Sequence, residues 1–322
     1  MPLDSIRDLV REDLEATDNF LTMELKSHIP LINQLVQYIL SCGGKRIRPL
    51  LVLLSARACH HGQKQHIDLA AAIELIHTAT LLHDDVVDNS SMRRGKDTAH
   101  MIWGNEASVL VGDFLYSRAF QLIVRLQNFR VMNIFSDATN LIAEGEILQL
   151  VNCNDPDTSE ASYYEVIQRK TGKLFEVGSQ LGPAISAASD KEFLAMQTYG
   201  MKLGIAYQLI DDALDYNASS EQTGKNIGND LTEGKPTLPL IHAMRHGTNA
   251  EVAIIRKAIE TGSCDQLDTI LAIIESTKAI EYTAHAAKRH ALDATTALLH
   301  VPESPYRKAL HDLAEFVVER SY

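Results

Sequence analysis

Two apolar segments that each run into the same aspartate motif restrict the fold of this chain more than any other feature. The segments are 69–82 and 203–210, and the motifs are Asp84, Asp85 and Asp88, and Asp211, Asp212 and Asp215. On a helix, residues three or four positions apart share a face, so the carboxylates of each motif would lie side by side. Neighbouring carboxylates raise one another's pKa values unless a cation lies between them. The pattern therefore predicts two helices that end in cation-binding clusters.

The composition favours helices along the whole chain. Only 9 prolines and 17 glycines occur among 322 residues, and apolar residues recur every three to four positions, as in amphipathic helices. No linker divides the chain and no segment is typical of a strand. We predict a single all-α domain over residues 1–322. It contains helices at 67–88 and 191–215, a helix that ends at Gly182–Pro183, and a polar loop over 217–237.

Charge and cysteine content exclude several classes of function. A formal net charge of −12 leaves no excess of basic groups to neutralise a nucleic-acid backbone, so no nucleic-acid partner is expected. The 4 cysteines are far apart and form no paired motif, which argues against a zinc site or a disulfide framework. The start of the chain lacks the apolar core of a signal peptide, and no apolar run reaches the roughly 18 residues of a membrane span. We expect a cytoplasmic protein without an integral membrane segment.

The residues around the motifs favour magnesium and a diphosphate. A single motif of this type is more often a solvated helix end, but two copies, each followed by basic residues, favour a metal site. Magnesium prefers oxygen ligands and shares them with substrate phosphates, whereas zinc prefers His or Cys. A di-iron site fails because Glu74–His77 has no second copy. Basic residues on separate segments could bind the phosphates: Lys45, Arg48, Arg93, Arg94, Lys170, Lys225 and Lys235.

A metal-bound diphosphate beside apolar helices suggests that the diphosphate is a leaving group. The metal would stabilise the charge that develops on the diphosphate as its C–O bond breaks. The allylic carbocation that remains needs a dry pocket, because water would capture it. The apolar faces below the motifs predict such a pocket.

Several short segments resemble the trans-prenyltransferases, the head-to-tail polyprenyl diphosphate synthases. They are 43–49, 81–88, 92–95, 112–113, 170–171, 208–215 and 224–225. Segments 144–146 and 230–240 resemble most closely the bacterial enzymes that make octaprenyl diphosphate. The resemblance covers nearly the whole chain. It implies an all-α helical bundle of the isoprenoid synthase type with a central apolar cavity, and a homodimer, as is usual in the family.

The resemblance also implies the substrates and the role of each matching residue. Isopentenyl diphosphate would be condensed onto an allylic diphosphate such as farnesyl diphosphate, and the octaprenyl product would supply the side chain of a quinone. The six aspartates would hold about three magnesium ions, each on one or two carboxylates. The allylic diphosphate would be bound by Arg93, Lys170, Thr171, Gln208 and Lys225. The diphosphate of isopentenyl diphosphate would be bound by Lys45, Arg48, His77 and Arg94.

Residues below the first motif bear on product length. Thr80 lies one helical turn below Asp84, and Ala79 is adjacent. Because both side chains are small, a growing prenyl tail could pass them. Met132 and Phe135 are candidates for the floor of the pocket, although such residues are more often ordinary core.

Three alternative functions stay open at this point. One is a synthase of another product length, from geranylgeranyl to decaprenyl. A second is a terpene cyclase or squalene-type synthase, which would not need Lys45, Arg48 and Arg94. The third is a non-catalytic subunit, which should have lost one aspartate motif or both.

Overall fold

Helices make up almost all of the regular structure in the computed structural model, which describes residues 2–217 and 227–319. The first ten are α1 (Leu3–Asp8), α2 (Arg11–Glu24), α3 (Pro30–Ser41), α4 (Ile47–Ala58), α5 (Gln65–Val87), α6 (Ala99–Trp103), α7 (Asn105–Arg125), α8 (Phe129–Asn152), α9 (Glu160–Ile167) and α10 (Lys173–Ile185). The others are α11 (Asp190–Asp215), α12 (Asn229–Thr232), α13 (Leu238–His246), α14 (Asn249–Thr261), α15 (Leu267–Ser276), α16 (Ala279–Ala297) and α17 (Pro305–Glu319). The strands of the described residues are β1 (Met92–Arg93) and β2 (Lys96–Asp97). The all-α prediction is confirmed.

The backbone divides into two compact units. Unit 1 comprises residues 1–137, 174–198 and 297–313, and unit 2 comprises 138–173, 199–296 and 314–322. The first aspartate motif belongs to unit 1 and the second to unit 2. The assignment of the whole chain to a single domain stays a prediction.

Helix α5 is the central helix of unit 1. Its alanine-rich middle, from Leu69 to Ile73, has no exposed surface, and Leu75, Ile76, Ala79 and Leu82 are at most 1% exposed. The helix contacts α2, α4 and α7, so apolar residues are needed on nearly every side. The observed bounds lie within two residues of the predicted 67–88. The first aspartate motif therefore stands at the end of a helix that the surrounding core holds in place.

The end of α11 is held by two apolar clusters of unit 2. One joins α9 to α11 through Tyr163, Ile167, Leu209 and Ile210. The other surrounds Tyr216 with residues of α12 to α16. Because residues on both sides of the second motif are fixed in this way, its carboxylates leave the helix at defined positions.

Two predicted boundaries are wrong. Helix α10 continues through Gly182–Pro183 to Ile185, because burial of residues 174–184 outweighs the hydrogen bond that proline cannot make. A Cβ added at Gly182 would lie 2.3 Å from the carbonyl carbon of Ser55, so α10 packs directly on the backbone of α4. The predicted loop over 217–237 contains α12, and residues 218–226 lie outside the described part of the chain.

Among the described residues, one helix is long and apolar enough to cross a membrane when only length and composition are considered. This helix is α7, Asn105–Arg125. It packs against α5, and its side chains include Asp113 and Arg118. The core helices of soluble proteins satisfy the same criterion.

Candidate active site

The first aspartate motif ends α5 with three carboxylates in different environments. Asp84 and Asp88 are half-buried, whereas Asp85 is 4% exposed. The backbone N–H of Asp88 donates to the carbonyl of Asp84 at 2.8 Å, so both residues lie on successive turns of the same helix face. The helical backbone thus continues to the end of this motif, as the sequence predicted, and the side-by-side placement of the carboxylates stays a prediction.

A short hairpin after α5 brings Arg93 to the buried carboxylate. The basic residues that follow the motif lie on this hairpin: β1 and β2 pair antiparallel, and the turn residues Arg94 and Gly95 have φ angles of 55° and 74°. Two consecutive residues with positive φ form the turn that suits a two-residue hairpin. Nε and Nη2 of Arg93 each lie 2.7 Å from Oδ1 of Asp85. Burial raises the pKa of Asp85, although the Arg93 guanidinium acts in the opposite direction.

Arg48 and His77, both predicted to bind isopentenyl diphosphate, are in direct contact. Nη1 of Arg48 lies 3.0 Å from Nε2 of His77, and the Arg48 guanidinium stacks over Phe175, 4.8 Å from the ring centroid. Burial, and then the charges of Arg48, Arg94 and Arg93, lower the pKa of His77 well below its usual value. A neutral imidazole can therefore accept a hydrogen bond from Arg48.

The Arg94 side chain packs against the backbone of Gly43 and Gly44. Nη1 of Arg94 donates to the carbonyl of Gly43, and a Cβ at Gly44 would lie 2.5 Å from the same nitrogen. These two glycines immediately precede Lys45, whose side chain is exposed. The backbone carbonyl of Lys45 accepts a hydrogen bond from Arg7 at 2.6 Å. Arg94 is therefore held beside the residues that open α4.

The residues predicted to control product length differ in exposure. Thr80 is half-buried and its hydroxyl donates to the carbonyl of His77 at 2.9 Å, whereas Ala79 has no exposed surface. Of these two residues, Thr80 is thus the one that a ligand could touch. Phe135 is fully buried and Met132 half-buried, which favours a core role for Phe135.

The second motif ends α11 and differs from the first in its protein contacts. Asp211 and Asp215 are half-buried and Asp212 is 3% exposed. Asp215 accepts hydrogen bonds from the backbone N–H groups of Asn229 at 3.3 Å and Asp230 at 3.0 Å. Its carboxylate therefore satisfies amides at the start of α12.

A π-helical turn positions Lys170 and Thr171. The helix predicted to end at Gly182–Pro183 contains an irregularity, because residues Gln168–Gly172 form a wider turn between α9 and α10. Such turns are rare and frequently mark functional sites. Nζ of Lys170 lies 2.5 Å from Oε2 of Glu146, and the Thr171 hydroxyl donates to Oε1 of Gln208 at 2.9 Å. Lys225, the remaining predicted ligand of the allylic diphosphate, lies outside the described residues.

Asp212 is enclosed by hydrogen-bond donors on both oxygens. Nε2 of Gln208 donates to Oδ1 at 2.8 Å, and the hydroxyl of Tyr163 donates to Oδ2. Burial and then the charge of Asp230 raise the pKa of Asp212 well above its usual value, while the hydrogen bonds from Tyr163 and Gln208 oppose this effect. The middle aspartate of each motif is thus buried and already bound to protein groups.

Sequence reasoning assigned no role to three residues that contact the site. Glu146 pairs with Lys170, Tyr163 binds Asp212, and the charge of Asp230 acts on Asp212. Glu146 and Asp230 lie in segments that carried the family resemblance, which was the available signal. Tyr163 belongs to none of those segments.

Comparisons with known proteins agree with this geometry. A family model described as polyprenyl synthetase matches residues 29–275. The chain is 49% identical to the octaprenyl diphosphate synthase of Haemophilus influenzae, over 100% of this chain and 98% of the relative. The chain belongs to the polyprenyl synthetase family.

A further relative and a solved structure are also similar to this chain. The all-trans-nonaprenyl-diphosphate synthase (geranyl-diphosphate specific) of Rhodobacter capsulatus is 43% identical, over 97% of this chain and 96% of the relative. The crystal structure of a polyprenyl synthase from Caulobacter crescentus, complexed with calcium and isoprenyl diphosphate, superimposes with a TM-score of 0.95 at 40% identity, over 99% of this chain and 98% of the other. This member of the polyprenyl synthetase family is a prenyltransferase with the all-helical isoprenoid synthase fold. Its relatives assign it to the long-chain trans-prenyl synthases.

Proposed function

We propose that the protein is a magnesium-dependent all-trans octaprenyl diphosphate synthase. It would add isopentenyl diphosphate repeatedly, head to tail, to farnesyl diphosphate. The observation that carries the proposal is that both aspartate motifs combine a buried, hydrogen-bonded middle carboxylate with half-buried outer carboxylates. Each motif also has a cationic residue of the predicted substrate-binding set in its own unit, Arg93 in unit 1 and Lys170 in unit 2.

The donor set fits magnesium. Four half-buried carboxylates, those of Asp84, Asp88, Asp211 and Asp215, offer the oxygen ligands that this ion prefers. Within each motif the middle carboxylate would be fixed by protein groups, Asp85 by Arg93, and Asp212 by Gln208 and Tyr163. Bound magnesium, about three ions on one or two carboxylates each, would neutralise the negative charge that develops on the leaving diphosphate.

The basic residues would divide between the two substrates. Arg93, Lys170, Thr171, Gln208 and Lys225 would orient the allylic diphosphate, with the π-helical turn presenting two of them. Lys45, Arg48, His77 and Arg94 would bind the diphosphate of isopentenyl diphosphate. Guanidinium groups bind phosphate oxygens in pairs, and a neutral His77 can donate one further hydrogen bond without adding charge. Holding both substrates in place converts a bimolecular reaction into an effectively unimolecular one.

The apolar residues of α5 would keep water from the carbocation. The product tail would pass Thr80, because its side chain is small and half-buried. The nonaprenyl synthase at 43% identity makes neighbouring chain lengths the closest alternative. A tail of this length would serve as the side chain of a membrane quinone, made by an enzyme that works in the cytoplasm.

We further propose that the protein is a homodimer that uses α7 as an interface. Several apolar side chains of unit 1 are exposed, including Leu110 at 66%, Val124 at 52% and Phe129 at 80%. Exposed apolar surface of this kind marks interaction sites. A second copy would cover it, and α7 would then be an interface helix without a membrane-spanning role.

The test is incorporation of labelled isopentenyl diphosphate by the purified chain with magnesium and farnesyl diphosphate. Chromatography of the dephosphorylated products should show a main product near octaprenol, and chelation of magnesium should abolish it. Farnesol or geranylgeraniol alone would contradict the product length, and the absence of incorporation would contradict the function.

A pair of aspartate variants tests the metal assignment. We expect Asp84→Asn to lose at least about 100-fold in kcat, as when a group that stabilises developing charge is removed. Asp137→Asn, which changes an exposed aspartate of α8, should keep wild-type activity. Equal activity of both variants would contradict the role of Asp84.

A further inference from the structure

We propose that Tyr163 is a positioning residue that fixes the carboxylate of Asp212 for metal and diphosphate binding. The proposal rests on the proposed function, which assigns Asp212 to the magnesium site. It concerns a residue that lies outside both aspartate motifs and outside the basic set.

The Tyr163 side chain is itself held in place. It is 5% exposed and belongs to the apolar cluster that joins α9 to α11, with Ile167, Leu209 and Ile210. The ring also meets Tyr164 edge to face, with centroids 5.6 Å apart. Because the ring cannot move freely, its hydroxyl is a fixed hydrogen-bond donor.

The hydroxyl of Tyr163 completes a chain of hydrogen bonds. It donates to Oδ2 of Asp212, while Oδ1 accepts from Gln208 at 2.8 Å. The amide oxygen of Gln208 accepts from the hydroxyl of Thr171 at 2.9 Å. The hydrogen bonds therefore connect Tyr163 through Asp212 and Gln208 to Thr171 on the π-helical turn.

Within this series of hydrogen bonds, the Tyr163 hydroxyl fixes the orientation of the Asp212 carboxylate. Thr171 directs the amide NH2 of Gln208 towards Asp212, so Gln208 can fix only one carboxylate oxygen. Without the second donor, the carboxylate could rotate about its χ2 angle, which is a soft torsion for aspartate. Rotation would break the bond to Gln208 and release the amide that Thr171 orients. Tyr163 thus acts on two predicted substrate ligands through Asp212, without touching the substrate.

The matched pair of variants is Tyr163→Phe and Tyr164→Phe. Each removes one hydroxyl from adjacent residues of α9 and keeps the ring. We expect Tyr163→Phe to raise the half-saturating magnesium concentration and the KM for the allylic diphosphate about tenfold, the factor that a hydrogen bond to a charged group is worth. The KM for isopentenyl diphosphate should stay unchanged, because the hydrogen bonds that link Tyr163, Asp212, Gln208 and Thr171 do not involve Arg48 or His77. Tyr164→Phe should behave as wild type.

A readout without turnover separates this proposal from the proposed function. Magnesium with inorganic diphosphate should raise the Tm of the wild-type protein, since ligands that bind the folded state stabilise it. The rise should be smaller for Tyr163→Phe than for Tyr164→Phe at equal ligand concentrations. If wild type shows the rise but no incorporation of isopentenyl diphosphate, the proposed function fails and the role of Tyr163 stands.

A double-mutant cycle gives the decisive result. In the Asp212→Asn background, Tyr163→Phe should cause no further change in magnesium dependence, because the hydroxyl acts through the carboxylate. The proposal is overturned if both tyrosine variants respond alike, if Tyr163→Phe lowers kcat alone in proportion to a loss of folded protein, or if the effects of Tyr163→Phe and Asp212→Asn on magnesium dependence simply add.

Discussion

Gly145→Ala tests whether α8 sets the position of Lys170. Gly145 lies where α8 meets the π-helical turn: an added Cβ would stand 2.8 Å from both the backbone nitrogen of Lys170 and Cβ of Arg169. Ordinary van der Waals contact begins at 3.4 Å, so one backbone must move by about 0.6 Å (3.4 − 2.8). Both nearest atoms belong to or adjoin the main chain, and neither can rotate away.

The size of the displacement decides which property changes. Overpacking costs about 1–3 kcal/mol, but alanine gains about 1 kcal/mol over glycine inside a helix. The net loss of stability is therefore at most about 2 kcal/mol, or a few degrees in Tm. Misplacement of a catalytic group by about 1 Å can cost 100-fold in rate. A shift of 0.6 Å at Lys170 should then lower kcat/KM for the allylic diphosphate about 15-fold.

The assay combines steady-state kinetics with thermal unfolding. Gly62→Ala is the matched control, because a Cβ there meets nothing within 4 Å and the residue does not need a left-handed backbone. Wild-type kcat/KM in Gly145→Ala, within twofold, would refute the view that the α8 contact positions Lys170. An equal loss in both glycine variants would show that the effect is not local.

Three further predictions each concern the substitution of one residue. Thr80→Phe should shorten the product without abolishing turnover, as judged by chromatography, and an unchanged length would exclude this face as the path of the tail. Asp13→Asn should lower the free energy of unfolding at pH 7 by about 3 kcal/mol, because Asp13 is buried and bound by Arg57 at 2.7 and 2.8 Å. Burial alone would raise the pKa of Asp13, but Arg57 and His66 hold it below its usual value. This contribution is therefore full above about pH 4 and is lost as the pH falls further, so the difference in stability between wild type and variant should shrink steadily as the pH is lowered below 4. Leu110→Glu should convert dimer to monomer in sedimentation; a persistent dimer would exclude α7 as the interface.

The predictions from sequence succeeded where apolar periodicity and charge act together. Helix α5 was placed to within two residues, because alanine and leucine cover every side and three aspartates end the run. The adjacency of Asp84 and Asp88 followed from helix geometry alone. The family resemblance had assigned Arg48 and His77 to the same substrate, and the structure places the two side chains in direct contact.

The remaining features depend on tertiary packing that leaves no local pattern. The sequence of Gln168–Gly172 is typical of an ordinary helix. In the structure this segment forms a wider turn, at the point where Gly145 of α8 approaches its backbone. The hairpin at Arg93 depends on a left-handed Arg94, a conformation that arginine seldom adopts. The sequence does not distinguish Tyr163 from other tyrosines on the apolar faces of helices, because its hydrogen bond to Asp212 is seen only in the structure. The helix end predicted at Pro183 was wrong, because the burial of α10 against α4 cannot be deduced from the residues next to Pro183 in the sequence.

Asp215 links the proposed metal site to the local fold of unit 2. Its backbone carbonyl accepts a hydrogen bond from Gly228 at 2.9 Å, and its carboxylate accepts hydrogen bonds from the backbone N–H groups of Asn229 and Asp230. A substitution at Asp215 would therefore remove a proposed metal ligand and also the hydrogen-bond acceptor at the start of α12. Selection for metal binding and selection for the fold would act on the same carboxylate, which leaves this position little freedom to change.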